Sequence, residues 1–344
     1  VRRVIALTRP AGGYTPLGHV LDEKSLVNGI VGLLATGGST NHTMHLVAIA
    51  AAAGIRIDWD DFAELSRAVP LLARVYPNGV ADVNHFHAAG GLGFVMGELL
   101  EAGLLHEDVT TIMGQGLSGF CREPFLEEDV LEWRAATRQS HDAEIVRPCS
   151  DAFDEEGGLR LVQGNLGRAI VKVSAVDPRH YRIEAPARVF RSQAAFIEAF
   201  KAGLLDGDFV AVVPWQGASA NGMPELHKLT PYLGVLQNRG HRVALLTDGR
   251  MSGASGKVLA AIQLTPEALG GGPLGLVRDG DTVLIDADAG VLSVEVAEGE
   301  LTDRPAVETD LSAHHVGLGR ELFGVFRRGV NGAENGATIF TDLG

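Results

Sequence analysis

The sequence predicts an α/β first part, the helical remainder of an α/β domain, followed by a mainly-β second part with flanking helices. Three observations carry this. At 344 residues the chain is too long for one ordinary core, so two domains are expected. Up to about residue 105 apolar residues recur at three-and-four spacing, the period of amphipathic helices. Beyond residue 144 the pattern changes to short runs rich in β-branched residues, punctuated by Gly, Asn and Asp. The division is placed between residues 1–135 and residues 136–344.

In the first part SLVNGIVGLLAT, TNHTMHLVAIAAAAG, DDFAELSRAVPLLARV and GFVMGELLEAG read as helices, several of them stopping at glycine. The charged run EEDVLEWRAATRQSHDAE at 127–144 divides them from the strands LRLVQG, AIVKVSAV, YRIEAPARVF, FVAVVP and RVALLTDG and from the hairpin-like TVLIDADAGVLSVEV. The helices SQAAFIEAFKAG and PELHKLTPYLGVLQNRG are interleaved with these strands, the second starting at Glu225 just after Pro224. There is no internal repeat.

Composition excludes several function classes. A formal net charge of −14 gives neither nucleic acid nor an anionic membrane any electrostatic support, and an anionic small molecule needs a local pocket that overrides the field. The apolar stretch HLVAIAAAAGI at 45–55 is well short of the roughly 20 residues that span a bilayer. Cys121 and Cys149 are the two cysteines, with no CxxC, which excludes a disulfide scaffold and a self-contained Cys-rich metal site. A reducing cytoplasm is the expected compartment.

Chemistry is expected first at TDGRMSGASGK, 247–257, directly after the apolar run VALL. A nucleophile elbow needs GxSxG where GRMSG stands, and a P-loop needs Gly where Met251 stands. Two readings of Ser252 and its neighbours remain: a polar turn held by its own hydrogen bonds, or a nest of backbone amides that binds an anion. In TGGSTNHT at 36–43, Ser39 or Thr40 is placed to cap the following helix, whose free N–H groups can also take an anion. In GASANGMPELHK at 217–228, Glu225 is either an ordinary first-turn carboxylate or an oxygen ligand aimed at a hard cation such as Mg2+. His85 with His87, and His42 with His45, suggest a zinc hydrolase, but no third ligand stands at a recognisable spacing. GGLGFVMG at 90–97 follows no strand, so it is read as close helix packing and not as a dinucleotide fingerprint.

Five segments in order, LLATGGSTNHTMHLVAIA, YPNGVADVNHFHAAGG, GNLGRAIVKVSAV, NGMPELHKLTPYLGVL and TDGRMSGASGK, resemble the dihydroxy-acid and phosphogluconate dehydratases over essentially the whole chain. His42–Thr43, PNGVADVNHF and ANGMPELHK resemble the phosphogluconate branch, whereas the dihydroxy-acid branch usually has Ala after GGSTN. The resemblance implies dehydration of 6-phospho-D-gluconate to 2-dehydro-3-deoxy-6-phosphogluconate in the Entner–Doudoroff pathway. It also implies that residues 136–344 form a β-barrel of the swivelling type. The family's catalytic serine, thought to act as an alkoxide base, falls on Ser252, and a magnesium-ligating glutamate falls on Glu225.

The resemblance further implies a magnesium ion on the substrate carboxylate and an iron–sulfur cluster, 4Fe–4S by family expectation with 2Fe–2S as the alternative, that accepts the leaving 3-hydroxyl. Ser39, Thr40, Asn41, His42, Lys228, Asp248 and Arg250 are the candidate substrate-binding residues, with His227 a further candidate by charge. The family's cluster cysteines lie outside the matching segments, so no cluster ligand is expected in this chain, and Cys121 and Cys149 stand where relatives do not use cysteine as a ligand. With its VRRVIALT start the chain is expected to be the C-terminal part of a longer enzyme, working with that enzyme's N-terminal segment as a homodimer. Another sugar or dihydroxy acid as substrate, or a non-catalytic anion-binding fragment, are the alternatives. Ala254 stands where sugar-acid relatives often carry Thr.

Overall fold

A computed structural model describes residues 2–251, 256–297, 299–305, 307, 309–317 and 319–340. The chain divides into two compact units, one of Val1–Gly38, Ile49–Ile57 and Glu64–Gly158, the other of Ser39–Ala48, Asp58–Ala63 and Leu159–Gly344.

The first unit is helical where the periodicity is strongest. Glu23–Ala35 starts with a capping box, in which Asp22 accepts from the Ser25 N–H and the Ser25 hydroxyl answers the Asp22 N–H. Its Leu26, Ile30, Val31 and Leu34 are buried, each stabilising by about 1.5–3 kcal/mol relative to exposure. DDFAELSRAVPLLARV does not continue as one helix. The helix Trp59–Ala68 stops short of Pro70, whose missing N–H and ring disfavour another turn. Leu71 and Ala73 then run extended and bridge to Asp154 and Val146. The charged run at 127–144 is not merely a divider: Val130–Ala135 pairs antiparallel with Arg122–Glu127, and Glu128 and Asp129 turn the hairpin at φ 49° and 65°. The period-2 signal is weak there because most of the hairpin is exposed.

The second unit holds a closed barrel of eight strands: β1 (Leu159–Gly164), β2 (Gly167–Lys172), β3 (Arg182–Val189), β4 (Phe209–Val213), β5 (Val243–Thr247), β6 (Ala260–Thr265), β7 (Thr282–Asp286) and β8 (Val291–Glu295). Their order round the barrel is β6-β2-β1-β8-β7-β3-β4-β5, closed by β5 on β6. Neighbours β3, β4, β5 and β6 run parallel, in register Ala187↔Val210, Ala211↔Leu245 and Ala260↔Leu245. The rest is largely antiparallel, including the β7–β8 hairpin read from the sequence.

Side-chain alternation divides the packing. Val210, Val212, Ala244, Leu246 and Ala261 join the cluster that fills the barrel. Their neighbours Phe209, Ala211, Val213, Val243, Leu245, Ala260 and Ile262 instead join a second cluster with Leu229, Leu233 and Leu236 of the helix Leu229–Asn238 and Phe196 of the helix Gln193–Lys201. Burial on both faces explains why FVAVV and VALLT read as unbroken apolar runs. Strand β6 was not expected from its sequence. Gln263 at φ 58° and a register shift between Ile262 and Thr265 interrupt its alternation. Among the described residues no helix is long and apolar enough to cross a membrane.

Candidate functional site

Because β3 to β6 are parallel neighbours, the loops that leave their C-terminal ends gather at one rim of the barrel, the usual ligand position in α/β sheets. The loop after β5 begins TDGRM and is held from three sides.

Asp248 does the holding. It is 1% exposed, and its carboxylate accepts the backbone N–H groups of Gln216 (2.8 Å), Ala268 (2.9 Å) and Trp215 (3.2 Å), which belong to the loops after β4 and β6. Burial pushes its pKa up to about 6, outweighing those three donors. The sign follows: a raised folded-state pKa contributes stability that is present below the ordinary carboxylate range and lost as pH rises through about 6. Next to it Gly249 packs so closely that a Cβ would lie 2.7 Å from Cβ of Gln216. Trp215, Met223 and Gln263 around this rim all adopt positive φ, a cost on the order of 1–3 kcal/mol each that the surrounding bonds must offset.

A second anchor comes from Ser39–Thr43. Thr40 does not cap the helix His42–Ala52; its buried hydroxyl donates to the Met251 carbonyl at 3.0 Å. Gln263 Nε2 donates to the Thr40 carbonyl at 3.0 Å, and Gln263 Oε1 accepts from the Thr43 hydroxyl at 2.7 Å. The Ser39 hydroxyl accepts from the Asn41 N–H, and the Ser39 carbonyl accepts from Nδ1 of His42, so that ring carries its proton on Nδ1. Among the described residues Oδ1 of Asn41 is buried without a hydrogen-bond partner, an acceptor available to a ligand.

Glu225 is placed differently from its sequence expectation. The helix begins at Leu229, not at Glu225, because Gly222 and Met223 at positive φ end the short helix Ala218–Asn221, and residue 225 then pairs as a parallel bridge with Arg250. Arg250 Nη1 lies 2.6 Å from Oε2 of Glu225, and its Nε donates to the Met223 carbonyl at 2.6 Å. The structure therefore brings Thr40, Glu225, Asp248 and Arg250 together on residues 248–251. Lys228 and His227 are exposed, and the Lys228 N–H is used by Gln193 Oε1. Ser252, with Ala254, lies outside the described residues.

Lys172, at the end of β2, was passed over in the sequence. Burial pushes its ammonium down to about 8, so a neutral amine is accessible near neutral pH. Shortly after it in the chain, Ala175 packs on Gly256, where a Cβ would lie 2.7 Å from Cβ of Ala175. Its only sequence signal is a lysine inside the apolar strand AIVKV.

Cys121 and Cys149 are free thiols, and both are raised in pKa, Cys149 to about 11 by burial and then by Glu98. A cluster is held by several thiolates, so these two protonated thiols do not fit one. Among the described residues no three His, Cys, Asp or Glu side chains are grouped to hold a metal, and His85 is tied to Asp82 through Nδ1 at 2.8 Å. Glu225 by itself is one oxygen donor, already engaged by Arg250.

Residues 1–120 match the family model described as dihydroxy-acid/6-phosphogluconate dehydratase N-terminal, and residues 144–337 match its C-terminal counterpart. The chain is 56% identical over 341 residues to a protein of Pseudomonas aeruginosa named phosphogluconate dehydratase, covering 99% of this chain and 56% of that one. It is 55% identical over 340 residues to the protein of that name from Escherichia coli K12, again 99% of this chain and 56% of the relative. A dihydroxy-acid dehydratase of Sulfurisphaera tokodaii is 38% identical over 291 residues, 83% of this chain and 49% of the relative. The chain thus spans about half the length of these relatives. With both family models matched in order and the rim built from the segments that carried the resemblance, the chain belongs to the dihydroxy-acid/6-phosphogluconate dehydratase family.

Proposed function

We propose that this chain forms the proton-abstracting side of a hydro-lyase that converts 6-phospho-D-gluconate to 2-dehydro-3-deoxy-6-phospho-D-gluconate. The observation that carries the reading is the convergence of Thr40, Glu225, Asp248 and Arg250 on the segment that leads directly into Ser252. The higher identity to proteins named phosphogluconate dehydratase than to a dihydroxy-acid dehydratase supports the phosphorylated substrate.

In this reading Ser252 takes the proton from C2, the 3-hydroxyl departs, and the resulting enol tautomerises to the 2-keto acid. An unperturbed serine hydroxyl is far too weak an acid to serve as a base at neutral pH, so it must be surrounded by donors or cations. Asp248 and Thr40 fix the backbone that carries it, Arg250 aims Glu225, and Asn41 Oδ1 is positioned to accept from a substrate hydroxyl. Ser39 and His42 complete that helix start, and Lys228 contributes positive charge from the surface.

The family resemblance assigns polarisation of the acid to magnesium and loss of hydroxide to an iron–sulfur centre. Glu225 is this chain's share of the magnesium site, and the cluster thiolates belong to an N-terminal segment of the same enzyme, which acts as a homodimer. We place the domain division at residues 135 and 136, with the barrel as the swivelling part; the closed eight-stranded sheet, which begins at Leu159, supports a barrel C-terminal to that division.

The test is turnover by the full-length enzyme. Release of one 2-keto acid per 6-phosphogluconate consumed, with a much lower kcat/KM for gluconate and for 2,3-dihydroxy acids, is expected. Preference for an unphosphorylated acid would move the chain to another substrate of the same chemistry, and no turnover of any of these acids would defeat the reading.

A further inference from the structure

A cavity of about 880 Å3 opens within the second unit beside this rim. Arg250, Arg320, Arg327 and His45 line it, and no Asp or Glu is among the described lining residues. That composition is unexpected in a chain with 43 acidic and 29 basic residues. Arg250 is already neutralised by Glu225. Arg320 spends one N–H on the His314 carbonyl, and neither it nor Arg327 forms a salt bridge among the described residues, although Arg327 is close enough to Glu321 to help lower that carboxyl's pKa.

The wall is also held in place. Residues 331–338, which follow the arginines, are packed so tightly that a Cβ on Gly336 would lie 2.9 Å from the Ala48 backbone nitrogen. Glu334 is salt-bridged to Arg168 at 3.0 Å, and Arg168 reaches Asp60 at 2.7 Å. Phe323 and Phe326, with ring centroids 5.9 Å apart and both largely exposed, add an apolar edge to the lining.

We infer that this cavity seats the phosphate of the substrate, with Arg320 and Arg327 as its phosphate-binding, specificity-determining residues; the inference rests on the function proposed above. A phosphomonoester carries close to two negative charges at neutral pH and three acceptor oxygens. Two guanidiniums lining one cavity, neither in a salt bridge among the described residues, match it in charge and in forked donor chemistry. Arg250 lines the same cavity and stands two residues before Ser252 in the chain, so one loop joins the phosphate seat to the proposed base. His45 also lines the cavity.

The test uses the full-length enzyme with Arg320→Gln, Arg327→Gln and the double variant. Arg328→Gln, at an exposed arginine outside the cavity lining, is the control for a general loss of surface charge. Inorganic phosphate affinity is measured by titration calorimetry, which needs no turnover, and kcat and KM are measured for 6-phosphogluconate and for gluconate. In the double variant phosphate affinity is expected to fall, and KM for 6-phosphogluconate to rise, on the order of 10- to 100-fold, the scale of lost charge-assisted hydrogen bonds. Turnover number, kcat/KM for gluconate and the Arg328→Gln protein should be little changed. Unchanged phosphate affinity in the double variant, no phosphate binding by the unmodified enzyme, or equal losses on both acids would overturn the assignment and leave the dehydratase reading standing. Phosphate binding that depends on both arginines, in an enzyme that dehydrates neither acid, would support the phosphate seat and defeat the dehydratase reading instead.

Discussion

Ser252→Ala in the full-length enzyme is expected to lower the dehydration rate on the order of 10²–10⁴-fold, the usual cost of losing a positioned general base. KM should move much less, because in the proposed site other groups hold the substrate's carboxylate and phosphate. The fold should also survive, since the contacts that fix the loop are made by its flanks: Asp248 with three backbone N–H groups, Met251 with Thr40, and Gly256 against Ala175. Thermal unfolding of the variant therefore separates the two roles. A protein that melts like the unmodified enzyme but has lost turnover supports the base. Near-normal turnover would return the loop to a polar turn, and Lys172, with its depressed pKa, would become the next group to substitute.

Glu225→Gln carries the second large effect. The substitution preserves shape, so if the carboxylate served only to pair with Arg250, a contact 32% and 24% exposed at its two side chains, the cost would be about 1 kcal/mol of stability and little activity. A magnesium-ligand role predicts instead that activity collapses and returns in part at high Mg2+, because a neutral amide is a poorer ligand for a hard cation. Arg250→Gln distinguishes the two further. Removing the guanidinium leaves Glu225 its full charge, so magnesium dependence should persist while the geometry loosens. Equal loss in both variants with no magnesium dependence would make the pair a structural contact alone.

Much of the barrel was legible because its physics is local. FVAVV and VALLT announce strands buried on both faces, and TVLIDADAGVLSVEV announces a hairpin by two alternating runs round a turn. β6 was not legible, since Gln263 occupies a strand position for the sake of Thr40 and Thr43, more than two hundred residues away in sequence. Closure of the sheet depended on that strand. The helix expected at Glu225 failed for a related reason: the ladder partner that keeps residue 225 extended, Arg250, is invisible to a window of local periodicity.

The site was legible as a set of segments, not as roles. Asp248 and Arg250 look alike in TDGRM, yet one is a buried acceptor that ties three loops and the other pairs with Glu225 at a cavity wall. Arg320 and Arg327 carried no motif at all. What marks them is that no Asp or Glu is among the described residues lining the space they face, which only the tertiary structure displays.

The most direct test of the account, in which this chain supplies the base and one carboxylate while the cluster thiolates come from elsewhere in the polypeptide, is reconstitution of the 344-residue chain. The chain and a polypeptide of the full length of its relatives are each supplied with iron, sulfide and Mg2+ under reducing, oxygen-free conditions. Visible absorbance, bound iron and 6-phosphogluconate turnover are then read together. The account predicts a colourless, inactive 344-residue chain beside a coloured, active longer polypeptide, because two thiols held protonated cannot replace a set of positioned thiolates. A stoichiometric cluster with turnover in the 344-residue chain would contradict it.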